Sequence, residues 1–494
     1  MRRVRAAVLG AALVIPLSLA LPSAVADERS RHDDDVVPAG EEDFDRSVLT
    51  TDLSDPFEVT YGPDGNIWAT ERTAGRVTLV DPDSGEKTTI LTIDDVLTTP
   101  GEQDGLLGMA LHPDLLKKHK NQYVYLAYTY EADGTGPEGE DINRRTRIVR
   151  YTYDDDAQQL VEPKVLIEDL IGSDDHNSGR LVFRPDGTLH YTIGDRGNLQ
   201  DHNACKVNQA QRLPTAEEIK GEDWTAYQGK TLRLNLDGTI PKDNPKLNGV
   251  RSHIFTYGHR NPQGLVVGPG DRIYSSEQGP KSDDELNLLE AGGNYGWPNV
   301  AGFKDDQAYV FGNWAAWEDC TPEQYNAFEI PDQVPQMAEH EFNAPNFVPP
   351  LRTFYTVPTG TDFSAEPCEA PLFFICYPTV APSSLDWYEA DAIPGWENSF
   401  LMPTLKLGTL FRLPVLDDNG RGKGHDDAAR VIDGGLPLFV SQNRYRDTAI
   451  SPDGGTIYVA TDSGGLVRDL DTGASTDVLA DPGAILAFRY TGAD

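Results

Sequence analysis

Short apolar runs punctuated by one recurring turn signature dominate the chain. An apolar run leads into Pro-Asp-Gly or a relative of it, and a second apolar run follows. The signature stands as Gly62-Pro63-Asp64-Gly65 before Ile67-Trp68-Ala69, as Arg184-Pro185-Asp186-Gly187 before Leu189-His190-Tyr191, and as Ser451-Pro452-Asp453-Gly454 before Ile457-Tyr458-Val459-Ala460. Weaker copies are His112-Pro113-Asp114 and Gly268-Pro269-Gly270-Asp271. Proline presets the first turn dihedral and glycine accepts a positive φ, so each copy closes a β-hairpin. The first four copies start 50, 72 and 84 residues apart. That is too long for the strand pairs of a sandwich and natural for four-stranded blades with inserted loops. Five copies, with a degenerate region from Ala381 to Tyr388, predict an all-β fold, a six-bladed β-propeller of antiparallel blades. Helical pattern is scarce and best from Thr215 to Lys220.

The pattern changes at the N-terminus. Arg2, Arg3 and Arg5 precede an apolar run from Ala6 to Leu21, and Ala24-Val25-Ala26 supplies the small-x-small site that signal peptidase cuts. Residues 1–26 read as a secretory signal peptide; the run is short for a retained anchor, the competing reading. Residues 27–45 are dominated by Asp, Glu and Arg and cannot bury enough apolar surface to order themselves, so they read as a disordered acidic leader. Residues 46–494 form a single propeller domain. The protein is expected outside the cell or in the periplasm after cleavage near Ala26.

Composition narrows the function classes. With 79 Asp+Glu against 42 Lys+Arg the formal charge is −37. Removing the signal peptide takes away three Arg and no acid, leaving 39 basic residues and a net −40. No field of that sign gathers phosphates, which excludes nucleic acid and anionic membranes as general partners. Export places Cys205, Cys320, Cys368 and Cys376 in an oxidising compartment, where four cysteines allow three pairings. Cys368 and Cys376 are spaced for a local loop staple; Cys205 with Cys320 is the remaining, weaker pairing. No CxxC exists to favour zinc.

Candidate chemistry sits in the loops. Asp174-Asp175-His176-Asn177 sets an imidazole beside carboxylates, a general-base arrangement that a surface turn would also produce. His259-Arg260-Asn261-Pro262-Gln263-Gly264 puts a permanent cation and an amide in a turn before an apolar strand. In Asn443-Arg444-Tyr445-Arg446-Asp447, an extended backbone would aim both guanidinium groups one way, suiting a polycarboxylate; pairing with acids is the alternative. Lys406 is a lone cation at a strand edge, which solvated snorkelling would also explain. The run Ser276 to Asn287 joins a Gly-Pro turn to three consecutive acids, oxygen donors of the kind calcium takes, though not at EF-hand spacing. No Ser-His-Asp elbow, Walker loop or Rossmann fingerprint is present.

Many of these runs recur together in one family. Asp175-His176, Thr192-Ile193-Gly194-Asp195, Leu232 to Gly238, Pro241 to Pro245, Gly258 to Gly264, Glu277 to Pro280, Gly292 to Gly302, Asn346 to Pro350, Pro378 to Ser384, Gly395 to Asn398 and Asn443 to Asp447 closely resemble the soluble PQQ-dependent glucose dehydrogenases, in the same order over residues 50–490. The resemblance implies pyrroloquinoline quinone (PQQ) over the central channel, an aldose against it, and oxidation at C1 to the lactone with electrons passing to an external acceptor. His176 matches the family's general base. Asp175 and Gln103 match substrate contacts, and Arg260 matches the cation beside the quinone. Asn261, Thr379, Lys406, Arg444 and Arg446 match cofactor contacts, with Tyr377 at a position packing over the quinone. Gly279 and Pro280 match carbonyls that hold the quinone-polarising calcium, and Glu285, Tyr295, Ala301, Phe303 and Asp305 match a second calcium site. The resemblance allows a homodimer. A calcium-dependent sugar lactonase-type propeller is the alternative, though it has no use for Lys406, Arg444 and Arg446 together. The chain departs from the family at residues 198–212, where Gln200 is the retained polar candidate, in the loop from Cys368 to Cys376, and over residues 306–345.

Overall fold

The computed structural model describes residues 38–117, 120–133, 142–416, 431–432 and 435–492. The signal peptide and the leader up to residue 37 lie outside the described residues. Six antiparallel sheets follow one another along the chain. Blade 1 contains Pro56–Tyr61, Ile67–Glu71, Arg76–Val80 and Lys87–Thr92. Blade 2 contains Leu106–Leu111, Tyr123–Glu131, Arg144–Asp154 and Gln159–Ile171, and blade 3 Ser178–Phe183, Leu189–Ile193, Lys230–Leu234 and Ile254–Tyr257. Blade 4 contains Asn261–Gly268, Arg272–Gln278, Asp284–Leu289 and Arg352–Phe354; blade 5 contains Asp386–Tyr388, Ser399–Pro403, Gly408–Leu416 and Leu436–Ser441. Blade 6 contains Tyr445–Ile450, Thr456–Thr461, Ile485–Tyr490 and, returning from the other end of the chain, Phe44–Thr50. The first strand of each blade from 1 to 5, and Tyr445–Ile450 of blade 6, is innermost; these strands touch in order around the axis and the last touches the first. The architecture is a six-bladed β-propeller.

All five turn signatures occupy one structural position, between the innermost strand and its neighbour. Gly65, Gly187 and Gly454 have φ of 86°, 79° and 74°, values that side chains resist. The aspartate closes the turn on itself: Asp186 Oδ1 accepts from Thr188 N at 3.0 Å and Asp453 Oδ1 from Gly455 N at 3.0 Å. The expected helix forms as Ala216–Gly221, capped by Thr215, whose Oγ1 accepts from Glu218 N while Glu218 returns a bond to Thr215 N.

The leader is shorter than expected. Pro38 to Asp45 belong to the fold, because Phe44 starts a strand that pairs antiparallel with Ile485–Tyr490, Phe44 opposite Tyr490. Ala39 is buried, and its carbonyl accepts from Trp396 Nε1 at 3.0 Å. This strand closes the ring, so its stabilising partner lies at the opposite end of the chain and leaves no local trace near Asp45.

One side chain ties the blades at the axis. Arg180, on the innermost strand of blade 3, is 2% exposed. It donates to Glu58 of blade 1 at 2.6 Å, to the Gln263 carbonyl of blade 4 at 3.1 Å and to the Ser383 carbonyl ahead of blade 5 at 3.0 Å, and pairs with Asp447 of blade 6 at 3.1 Å. Glu58 and Asp447 thus share one guanidinium, whose charge Asp386 also feels. Burial pushes Glu58 up to about 8 and Asp386 up to about 7.

Candidate functional site

Each innermost strand runs from one end of the ring toward its first turn at the other, so the residues just ahead of these strands crowd around a single mouth. Gln103 precedes blade 2, His176 blade 3, Arg260 blade 4, Thr379 blade 5 and Arg444 blade 6. All five line one cavity of about 1000 Å³, together with Asp175, Gly279, Pro280, Tyr377, Lys406 and Arg446.

The wall beside blade 3 is built on left-handed backbone. His176, Ser178, Arg196, Leu199 and Asp201 have φ of 46°, 54°, 69°, 72° and 43°. Such conformations cost on the order of 1 kcal/mol or more each in residues other than glycine, and persist only where the surroundings over-determine them. At the centre of this wall is Asp195, which is fully buried. Its Oδ1 lies 2.7 Å from His176 Nδ1 and accepts from Gly197 N at 3.0 Å, while Oδ2 accepts from Trp297 Nε1 at 2.6 Å and Asn208 Nδ2 at 2.9 Å. Burial pushes the Asp195 carboxyl up, but the charge and hydrogen bond of His176, with Arg260 and Trp297, hold it below the ordinary range. An ionised Asp195 keeps the proton on Nδ1 and leaves the Nε2 lone pair available to the cavity. That nitrogen is 3.5 Å from Asp175 Oδ2. Asp175 Oδ1 accepts from His176 N at 2.8 Å and from the side chain of Gln103. His176, Asp175 and Gln103 therefore form one connected group.

The floor on the side of blades 4 to 6 is cationic. Arg260 donates to the Gln278 carbonyl at 3.1 Å and to Gln200 Oε1 at 2.6 Å, and lies over the Trp297 ring. Arg444 and Arg446 both converge on Asp462: Arg444 Nε reaches Oδ2 at 2.9 Å, and Arg446 reaches Oδ1 and Oδ2 at 2.7 Å each. The alternative of acid pairing is thus realised, yet both side chains still face the cavity. Burial pushes Asp462 up, but Arg446 and then Arg444 prevail and hold it at about 2. Two guanidinium groups on one carboxylate leave a positive excess. Lys406 donates to Thr379 Oγ1 and sits over Tyr377; burial lowers its pKa to about 7 against the opposing pull of Asp284. Asn261 differs from expectation: it is fully buried behind the wall, donating to Gln278 Oε1 and accepting from Ser178 and Gln263, and Gln278 takes its place on the cavity.

The Gly-Pro turn is held by an acid. Asp284 Oδ1 accepts from Gly279 N at 2.8 Å, and Oδ2 accepts from Val380 N and Ala381 N at 2.7 Å each. Behind Gly279 and Pro280 lies a void of about 10 Å³, also bordered by Glu277, Asp283, Glu285 and Ala301, room for one water-sized particle. Burial raises all three carboxyls, Glu277 to about 8 and Asp283 to about 6. No three His, Cys, Asp or Glu side chains among the described residues converge as a ready-made metal cage, so a cation here would draw on main-chain oxygens too. Glu285 holds Gly302 N at 2.7 Å. Tyr295 spends its hydroxyl on the Leu288 carbonyl. Phe303 is partly exposed, and Asp305 accepts from Gln307 N at 2.9 Å. Sequence reasoning missed Glu339, which is fully buried and accepts from Ala301 N at 3.0 Å and Asp306 N at 2.9 Å in this loop.

The segments that depart from the family pattern form the rim. Cys205 is bonded to Cys320, and Cys368 to Cys376. Leu199, Trp314 and Val334 pack as a small separate core with Phe311, Trp317 and Tyr325 against it. The first disulfide therefore staples loop 198–212 to the long insertion within blade 4.

The family model described as Glucose / Sorbosone dehydrogenase matches residues 53–321 and 352–468, leaving out much of that insertion. The chain is 44% identical over 458 residues to quinoprotein glucose dehydrogenase B of Acinetobacter calcoaceticus, covering 92% of each chain. It is 26% identical over 428 residues to the aldose sugar dehydrogenase YliI of Escherichia coli, covering 85% of this chain and 91% of that one. The fold is shared with the PQQ-bound aldose sugar dehydrogenase of Streptomyces coelicolor at a TM-score of 0.57 and 23% identity, over 92% of this chain and 99% of that one.

Proposed function

The chain belongs to the glucose/sorbosone dehydrogenase family, and on that premise we propose that it oxidises an aldose at C1 to the lactone, using PQQ and calcium. The observation that carries this reading is the division of one cavity into a cationic floor and a wall bearing an oriented imidazole. PQQ has three carboxylates, and the floor fits them. Arg444 and Arg446 keep a positive excess after pairing with Asp462, Lys406 and Thr379 stand beside them, and the buried Nε of Arg260 has no protein partner. These residues, with Gln278, would hold the cofactor, and Tyr377 would cover it. Bound PQQ supplies the two-electron acceptor for the hydride that C1 gives up.

The chain's own part is proton transfer and orientation. His176 Nε2 takes the proton of the C1 hydroxyl as the C1–H bond breaks, and Asp195 stabilises the imidazolium through Nδ1. Asp175 and Gln103 fix the sugar hydroxyls beside that nitrogen, and Gln200, itself held by Arg260, offers a further polar contact. Calcium suits the void at the Gly279-Pro280 turn, which the buried carboxyls of Glu277, Asp283 and Glu285 border; the carbonyls of Gly279 and Pro280 would present it to the cavity as a Lewis acid. Glu285, with oxygens from Tyr295, Ala301, Phe303 and Asp305, would hold a second, structural ion. The two disulfides suit an oxidising compartment, in keeping with secretion and an external electron acceptor; no helix among the described residues is long and apolar enough to cross a membrane.

The test is reconstitution. Protein loaded with PQQ and calcium should oxidise glucose with a dye as acceptor, lose that activity on thorough chelation and regain it with calcium. Full aldose oxidation in chelated protein defeats the calcium part of the reading, and no oxidation in the loaded protein defeats all of it.

A further inference from the structure

The sugar side of the cavity carries a charge that proton abstraction does not require. Asp201 lies on the cavity wall next to Gln200, in the short turn Asp201–Asn203. That turn is fixed from beneath. Asn203 is buried and donates to the Arg196 carbonyl at 3.2 Å, Leu199 packs on the small rim core, and Cys205 is bonded to Cys320. This fixes the residue's backbone, with φ of 43°, at the cavity wall.

Asp201 and Asp175 interact electrostatically, yet they are used differently. Asp175 is satisfied by the amide of His176 and the side chain of Gln103. Among the described residues, none donates a hydrogen bond to the Asp201 carboxylate. Arg260, His202 and His176 act on it electrostatically without donating to it, while Arg444 and Arg446 are engaged with Asp462 and Lys406 with Thr379. A substrate at this wall meets a carboxylate that no donor among the described residues holds, with Asp175 near enough to interact with it.

We infer that Asp201 selects substrate by charge, so that the enzyme prefers an aldose bearing an ammonium group, an amino sugar, over an aldose bearing a carboxylate, a uronic acid. An ammonium group gains a charge-assisted hydrogen bond to Asp201. A substrate carboxylate there faces like charge and finds no donor, the repulsive half of specificity. The inference rests on the dehydrogenase reading, and its test separates the two.

In the enzyme loaded with PQQ and calcium, kcat/KM is measured for 2-amino-2-deoxyglucose, glucose and glucuronate at a pH that keeps the amine protonated. The wild type should favour the amino sugar over glucuronate by tenfold or more, on the order of one hydrogen bond to a charged group. Asp201→Asn suits the left-handed backbone and should cut that ratio by about tenfold or more. Asp201→Glu keeps the charge and should retain most of the ratio. Reading a ratio within each variant cancels any general loss from disturbing the loop. A wild-type ratio at or below one, or an unchanged ratio in Asp201→Asn, overturns the inference while leaving glucose oxidation intact. Failure to oxidise any of the three sugars brings down the dehydrogenase reading and the inference with it.

Discussion

The floor and the wall of the cavity solve opposite problems with the same kinds of side chain. On the floor, two guanidinium groups share one carboxylate, Asp462, and leave positive charge over. On the wall, Asp195 is spent on one imidazole and three other donors, which orients His176 with its Nε2 3.5 Å from Asp175 Oδ2. The floor is carried by Arg260 ahead of blade 4, Thr379 ahead of blade 5, Lys406 within blade 5, and Arg444 and Arg446 at the start of blade 6; the wall is carried by loops in left-handed conformation, held by a buried acid and a disulfide. Under the proposed function the floor would bind an anion and the wall would place one proton acceptor. Changes to the floor should act on cofactor affinity, and changes to the wall on turnover and substrate.

The sharpest break is at the wall. His176→Gln should lower kcat by about 100- to 10,000-fold, the usual range for a lost general base, while PQQ still binds; steady-state kinetics alongside a PQQ titration checks both halves. Turnover near normal in that variant would remove His176 from the chemistry. The converse break is Arg444→Ala, which should weaken PQQ by about 1.5 to 3 kcal/mol, the scale of a hydrogen bond to a charged group, with kcat at saturating PQQ largely kept. An unchanged PQQ affinity would reduce both arginines to partners of Asp462.

A milder separation comes from the rim. Replacing Cys205 and Cys320 together by alanine removes a crosslink spanning 115 residues, of a kind worth about 2 to 5 kcal/mol in other folds. The melting temperature should fall and the KM for sugar should rise several-fold, with PQQ affinity unaltered. A loss of PQQ affinity equal to the rise in KM would show that rim and floor are not separable.

The smallest effect is a pH dependence. Burial lowers Lys406 to about 7 in the face of Asp284, with Arg468 and Arg260 adding to the depression. The ammonium is present below that pH and is lost as pH rises through it, so PQQ, anionic throughout, should bind less tightly at pH 9 than at pH 6. Asp462, held at about 2, stays ionised across that range and contributes no slope. Bound carboxylates draw the lysine's pKa upward, which keeps the drop to a few-fold. Lys406→Met should bind more weakly and show no such slope; a slope that survives the substitution would assign it elsewhere.

Legibility in the sequence followed the range of the interactions. Pro-Asp-Gly turns are local, and every copy proved to be the same turn of a blade, which made the blade count readable. The closing strand Phe44–Thr50 pairs with Ile485–Tyr490, a contact with no local signature, so the leader was drawn too long. In the site, His176, Arg260, Lys406, Arg444 and Arg446 stood out as unusual cations or bases in turns. The acids that make them work did not. Asp195 and Asp462 look like ordinary turn and strand-end acids in a chain with 79 of them, and only their burial against distant partners distinguishes them; Asp284 stands out as one of three consecutive acids, but not as the clamp on the Gly279-Pro280 turn. Asn261 sits in a conspicuous motif, yet the strand buries it. The rim from 306 to 345 has neither repeat nor period, and its role emerges only when Cys320 is seen bonded to Cys205.

The most direct test is a single turnover. Protein loaded with PQQ and calcium is mixed with glucose without any external acceptor, and the absorption spectrum of the bound quinone is followed. The quinone bands should give way to those of the reduced cofactor, with one glucose consumed per site, and in His176→Gln the same change should occur with its rate lowered by about 100-fold or more. Bound quinone that glucose leaves oxidised in the wild type, or that is reduced equally fast in both proteins, would contradict the assignment of this cavity as one anion-binding floor facing one proton-accepting wall.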